Sequence, residues 1–184
     1  MIKEELKEYC NSLSLDTIGF IKCRRFDELR EFYKYRKEMN LENEFEESDI
    51  EKRINPKWYM SEGKTIISIA FPYLWVDNYI ENGFSKYTKG LDYHRVVKKY
   101  LDNICDFIKA KGGEAISFVD SNTLPERYIA YLANIGFIGK NNMIITEKYG
   151  SYVFLGEIIT DLELNSDEVR NFENIKEYKE CGEC

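Results

Sequence analysis

The sequence predicts a mixed α/β (α+β) domain. Short apolar runs suited to strands alternate with amphipathic stretches suited to helices, and residues 116–161 string a strand, a helix and two more strands together without a break. With 184 residues, 43% hydrophobic and 15% aromatic, the chain can bury one sizeable core. Strands expected at 17–23, 64–71, 115–119, 142–147 and 151–160 suit either a parallel or an antiparallel sheet.

Each element has its own signal. Ile2, Leu6, Cys10 and Leu13 recur at helical spacing, so residues 2–13 form an amphipathic helix that buries Cys10. A strand over Thr17–Cys23 and a helix over 26–39 follow, then a short helix near Asp49–Arg53 closed by Asn55 and Pro56. KTIISIAF, residues 64–71, is apolar enough for a strand covered on both faces, and Pro72 ends it. Residues 73–90 make a long aromatic connection, a candidate binding loop. A helix over Asp92–Lys111 places Val97, Tyr100, Leu101, Ile104, Cys105 and Ile108 on one face and stops at Gly112 and Gly113. Thr123, Pro125 and Glu126 read as a capping box opening the next helix, with Gly136 closing it.

Composition narrows the function classes. No apolar run is long enough for a membrane span, and MIKEELKEYC is charged rather than signal-like, so a cytoplasmic protein without membrane partners is expected. Cys10, Cys23 and Cys105 are scattered in apolar contexts, which suits buried thiols rather than a disulfide framework. A net charge of −7 argues against autonomous nucleic-acid binding, although His94, Arg95, Lys98 and Lys99 form a local basic patch. The acidic run from Glu42 to Glu51 reads as a solvated surface.

Asp120 stands at the carboxyl end of the strand Ile116–Val119, where such architectures place reactive groups. A carboxyl among apolar neighbours tends to hold its proton and can donate it; equally, an Asp at such a junction can simply brace the turn. GlyLysAsnAsn at 139–142 offers amides and an ammonium to a polar ligand, or makes a connecting turn. Gly156, inside SYVFLGEII, marks a bulge or the close approach of a flat ligand.

FVDSNTLPERYIAYLANIGFIGKNNMIIT, followed by YGSYVFLGEIITDLEL and preceded by SKYTKGLDYHRVV, resembles the N-terminal domain of the epoxyqueuosine reductases, cobalamin-dependent iron–sulfur enzymes. The resemblance implies a central, mainly antiparallel sheet flanked by helices, like the cobalamin-binding nitroreductase-like domains. It also implies the reaction: reduction of epoxyqueuosine to queuosine at the wobble position of a tRNA anticodon, with electrons passing from iron–sulfur clusters to cobalamin. Asp120 matches the carboxylate that donates a proton to the departing oxygen. Ser85, Asp92, Tyr93, His94, Met143, Ile144 and Ile145 match positions along the corrin, and Arg53, Arg127, Lys140 and Asn141 match polar positions around its side chains or nucleotide tail. His94, the only histidine, suits packing or an amide contact as well as cobalt, and Leu91 stands where many relatives carry a basic residue.

The final CGEC resembles the first two ligands, Cys181 and Cys184, of a CxxCxxCxxxCP motif that opens a ferredoxin-like [4Fe-4S] domain. The domain division implied is 1–162 for the cobalamin-binding catalytic part and 163–184 for a linker and the start of the iron–sulfur part. Two thiols cannot complete a cubane, so the chain alone is expected to carry no cluster, to bind tRNA weakly, and to take electrons from a donor such as ferredoxin or flavodoxin. A non-catalytic corrinoid-binding module and a thiol-redox protein built on CGEC are the alternative readings.

Overall fold

The computed structural model describes residues 2–74, 83–120 and 122–176. The helices are α1 Ile2–Ser12, α2 Arg30–Glu38, α3 Ile50–Ile54, α4 Tyr93–Ala110 and α5 Glu126–Leu132. The strands are β1 Ile18–Lys22, β2 Thr65–Pro72, β3 Ala115–Phe118, β4 Phe137–Ile138, β5 Ile144–Ile145 and β6 Val153–Thr160. Four strands form an antiparallel sheet in the order β1-β2-β6-β3, and β4 pairs with β5 in a small separate ribbon. The antiparallel arrangement is the one implied by the family resemblance.

Alternation along the strands separates two cores. On one face Phe20, Ile67, Ile69, Phe71 and Ile158 meet Leu6 and Cys10 of α1 and Val97, Leu101, Ile104 and Ile108 of α4. On the other, Ile21, Ile66, Ala70 and Ile159 meet Phe26, Ile54 and the buried residues of α5. β2 is covered on both faces, as its unbroken apolar run predicts, because a central antiparallel strand with helices on either side has no solvent face. Cys10, Cys23 and Cys105 are free and buried; loss of solvation pushes Cys10 up to about 12 and Cys23 up to about 11.

Three local expectations are corrected. Thr123 and Glu126 do not form a capping box: Thr123 Oγ1 donates to the Lys52 carbonyl at 3.0 Å and lies 3.0 Å from the Tyr59 hydroxyl, while Glu126 accepts from Asn122 Nδ2 at 2.6 Å. Tertiary partners outcompete the local cap. α5 ends before Asn134, which takes the left-handed φ of +58°, so Asn134 and not Gly136 closes the helix. At Gly136 an added Cβ would lie 2.3 Å from the Ile145 carbonyl oxygen, so the glycine permits the β4–β5 ribbon to close. Gly156 is neither a bulge nor a ligand contact: it keeps regular register opposite Ile69, and a Cβ there would press on Leu101, Phe71 and Val97, so its absence lets α4 pack close to the sheet.

The strand expected over 142–147 is the two-residue β5, and β4, its partner, was not expected. Residues 163–176 lie back over the domain, where Asp167 N–H donates to the Phe20 carbonyl at 2.7 Å and Phe172 and Ile175 pack on the α5 core. Part of the candidate loop 73–90, residues 75–82, and the Cys181–Cys184 segment lie outside the described residues.

Candidate active site

The end of β3 and the start of α4 meet at one carboxylate. Asp92 caps α4, its Oδ1 accepting from His94 N–H at 3.0 Å and contacting His94 Nδ1 at 2.8 Å. These hydrogen bonds hold the Asp92 carboxyl below the usual carboxylate range. The cap fixes the first turn of the helix so that Tyr93 and His94 both reach Asp120. The Tyr93 hydroxyl donates to Asp120 Oδ2, and His94 Nε2 lies 3.3 Å from the same oxygen. Burial, reinforced by the carboxylate at its hydroxyl, makes the Tyr93 proton harder to remove.

Tyr93 is itself held by rings. Phe154 of β6 stacks on it at 3.9 Å and 6°, His94 lies at 4.0 Å on its own stretch of helix, and Tyr87 meets it edge-on at 6.0 Å. Tyr73 extends this wall, touching Phe154, Tyr87 and Tyr152. Asp120 has a left-handed φ of +51°, a conformation in which Asp is over-represented among non-glycine residues, and its carbonyl accepts from Asn122 N–H at 2.7 Å. Its neighbours are a phenol and an imidazole rather than the apolar surroundings expected from the sequence.

The other residues singled out from the sequence fall in separate places. Arg53 and Arg127 line a cavity of about 500 Å³ with Arg36, Glu46 and Asn142. Arg53 is paired with Glu46 at 2.8 Å over the Tyr33 ring, and Arg127 donates to the Asn142 carbonyl at 2.6 Å. Lys140 and Asn141 sit on the tight turn joining β4 to β5, where Asn141 Oδ1 accepts from Met143 N–H at 3.1 Å. Met143 is half-exposed, whereas Ile144 is buried in the core and Ile145 partly so. Ser85 is exposed ahead of the short 3₁₀ turn Lys86–Lys89. Arg95 and Lys99 of the basic patch border a second cavity, of about 580 Å³, with the exposed Leu91; Lys98 instead pairs with Asp102.

Of two acidic residues behind the site, the sequence reading missed Glu157 and gave Glu126 only a capping role. Glu157, wholly buried on β6, and Glu126 bring their carboxyls together behind Asp120. The signal for Glu157 was a lone charge inside SYVFLGEII. Among the described residues, no helix is long and apolar enough to cross a membrane and no group of three or more His, Cys, Asp or Glu could hold a metal ion.

A family model described as "Epoxyqueuosine reductase QueG, DUF1730" matches residues 53–121, from Arg53 through the Asp120 turn. The curated epoxyqueuosine reductase of Bacillus subtilis (strain 168) is 37% identical over 179 residues, covering 90% of this chain and 46% of that protein. The chain belongs to the epoxyqueuosine reductase family. It spans about half the length of the curated relatives it matches. A solved epoxyqueuosine reductase holding an epoxyqueuosine-modified tyrosine tRNA stem loop superposes with a TM-score of 0.80 at 36% identity, over 92% of this chain and 48% of that one. A Bacillus subtilis structure, described as having its aspartate-bearing catalytic loop swung out of the active site, gives 0.77 at 34% identity, over 93% and 48%. Oxidoreductases of queuosine formation are thus the relatives of this fold.

Proposed function

We propose that this chain forms the corrinoid-binding and proton-donating part of an epoxyqueuosine reductase, with Asp120 as the general acid toward a tRNA-borne epoxide. The observation that carries the reading is the convergence of the Tyr93 hydroxyl and His94 Nε2 on Asp120 Oδ2, beside an aromatic wall, in a chain whose solved relatives include one holding the modified stem loop. The catalytic loop of the Bacillus subtilis relative carries an aspartate, and Asp120 stands on the loop between β3 and α5, which supports the same role here.

The residues present fit a cobalamin. The partly exposed rings of Tyr87 and Tyr152 give an aromatic surface, and the separate cavity lined by Arg36, Arg53 and Arg127, where Glu46 pairs with Arg36 and Arg53, offers polar groups and an aromatic floor to the tail of such a group. When bound, cobalamin supplies the electron-rich cobalt through which electrons from iron–sulfur clusters reach the epoxide. Converting an epoxide to an alkene removes its oxygen as water and consumes two electrons and two protons. Asp120 gives one of those protons to the oxygen as its bond to carbon breaks, which spares the release of a basic alkoxide. Tyr93, donating to Oδ2, fixes the rotamer of the acid and stabilises the carboxylate left behind. His94 faces carboxylates with both ring nitrogens, so its place here is to orient Asp120.

The test is a titration of the purified chain with cob(II)alamin, followed by visible absorbance and electron paramagnetic resonance. Saturable binding with a base-off spectrum is expected, weakened by Arg127→Ala and by Lys140→Ala and retained in Asp120→Asn. A spectrum that never departs from that of free cobalamin would sink the corrinoid part of the reading.

A further inference from the structure

Behind Asp120 lie two buried carboxyls that the reaction outlined above does not use. Glu157 stands in the middle of β6 on the face covered by α5, opposite Ser68 on one side and Phe118 on the other. Its Oε1 accepts from Ser68 Oγ at 3.4 Å, while its buried Oε2 has no hydrogen-bond partner among the described groups. The group Glu157 does meet is the Glu126 carboxyl, from the first turn of α5. Two ionised carboxylates in a dry interior repel each other and cannot hydrogen-bond, whereas one proton between them turns the orphaned oxygen into a donor.

Glu126 has a second side. Its carboxyl accepts from Asn122 Nδ2 at 2.6 Å, and the Asn122 backbone N–H in turn donates to the Asp120 carbonyl at 2.7 Å. The Asp120 turn is thus tied to Glu126 through Asn122. A non-glycine residue at φ +51° persists only where its surroundings hold it, and a charged acceptor grips an N–H more strongly than a neutral one.

We propose that Glu126, left charged because Glu157 behind it keeps the proton, is the positioning residue that holds the Asp120 turn in the site. Glu157 donates to Glu126, Ser68 donates to Glu157, and Glu126 receives the side-chain amide of Asn122, whose backbone N–H closes the Asp120 turn. The other groups facing this cluster are the Asp120 carboxyl itself, Tyr93 and His94 of α4 on its far side, and the Tyr59 hydroxyl, which accepts from Thr123 N–H at 2.8 Å. Burial raises both carboxyls, but Glu157, which also faces the Glu126 charge, is held well above the ordinary carboxylate range, whereas the Asn122 hydrogen bond draws Glu126 back down. The catalytic meaning of the latch rests on Asp120 being the acid proposed above; its existence does not.

Nuclear magnetic resonance on this chain, labelled at glutamate carboxyls and backbone amides, tests it without cofactor or turnover. At neutral pH the Glu157 carboxyl is expected protonated and that of Glu126 ionised. Glu126→Ala is expected to lower the exchange protection of the Asn122 amide, which closes the Asp120 turn, about tenfold or more, with α4 amides unchanged, while Glu157→Gln, which keeps a donor, leaves it as in the wild type. Should Glu126→Ala also strip protection from α4, Glu126→Gln takes its place, with a loss of roughly threefold expected. Two ionised carboxyls at neutral pH, an Asn122 amide indifferent to both Glu126 variants, or a Glu157→Gln chain as loose as Glu126→Ala would each overturn the proposal. None of these outcomes depends on cobalamin, so a failed titration and a failed latch are separately visible.

Discussion

Asp120 owes its geometry to residues distant in the chain, and that dictates how single substitutions act. In an active reductase carrying this chain, Asp120→Asn keeps the shape and the Tyr93 contact but has no carboxylic proton, so kcat on an epoxyqueuosine stem loop is expected to fall by roughly 100-fold to 10,000-fold. Tyr93→Phe keeps the stack on Phe154 and loses only the donor to Oδ2; a fall of about tenfold, the worth of one hydrogen bond to a charged group, is expected. Single-turnover rates check both, and an Asp120→Asn enzyme within about twofold of wild type would remove Asp120 from the chemistry. Gly19 shows the same dependence in the core. A Cβ there would lie 2.0 Å from the Ala133 carbonyl oxygen, a backbone atom that can yield only if α5 moves off β1. Gly19→Ala is expected to destabilise the fold by about 1–3 kcal/mol, read from the urea midpoint.

At the scale of elements, α4 connects stability with the site. Its Asp92 cap satisfies the His94 amide and also sets the His94 ring, so Asp92→Ala is expected to lower thermal stability by about 1 kcal/mol while freeing His94 from one of its two carboxylates; Asp92→Asn restores most of the stability. Circular dichroism melting of the three proteins measures this. α4 was legible in the sequence because an 18-residue helix repeats its apolar face often enough to be read and Gly112, at φ +86°, ends it by a local rule. β4 and β5 were not, since two-residue strands leave no alternation to detect. Thr123 misled because its hydroxyl found Lys52 and Tyr59, partners 71 and 64 residues away. The same limit applies to the site: Asp120, Tyr93 and His94 were marked by motif, but that they share one oxygen, while Arg53 and Arg127 line a different cavity, follows only from the antiparallel order of the sheet.

For the whole molecule, the Glu126–Glu157 pair predicts how stability varies with pH. In the unfolded chain both glutamates titrate near 4.5; in the folded chain burial raises both, Glu157 the more. Above that ordinary value the folded state therefore holds more protons than the unfolded one, and stability falls as pH rises, by up to about 1.4 kcal/mol per pH unit for each retained proton, until Glu157 ionises in place. The carboxyls that salt links hold low, such as Glu51 at about 2, are ionised in both states beyond about pH 5.5 and add no slope there. The buried thiols act in the same downward direction but only near and above their ordinary value of 9, since Cys23 and Cys10 are pushed to about 11 and about 12. Between about pH 5.5 and 8 the decline is thus assigned chiefly to the glutamate pair. Urea unfolding across that window is expected to show the free energy dropping with pH in the wild type and less steeply in Glu157→Gln, whose amide supplies the donor without a proton to lose. A decline of equal steepness in both proteins would place the titrating group elsewhere in the fold and leave the buried pair without its shared proton.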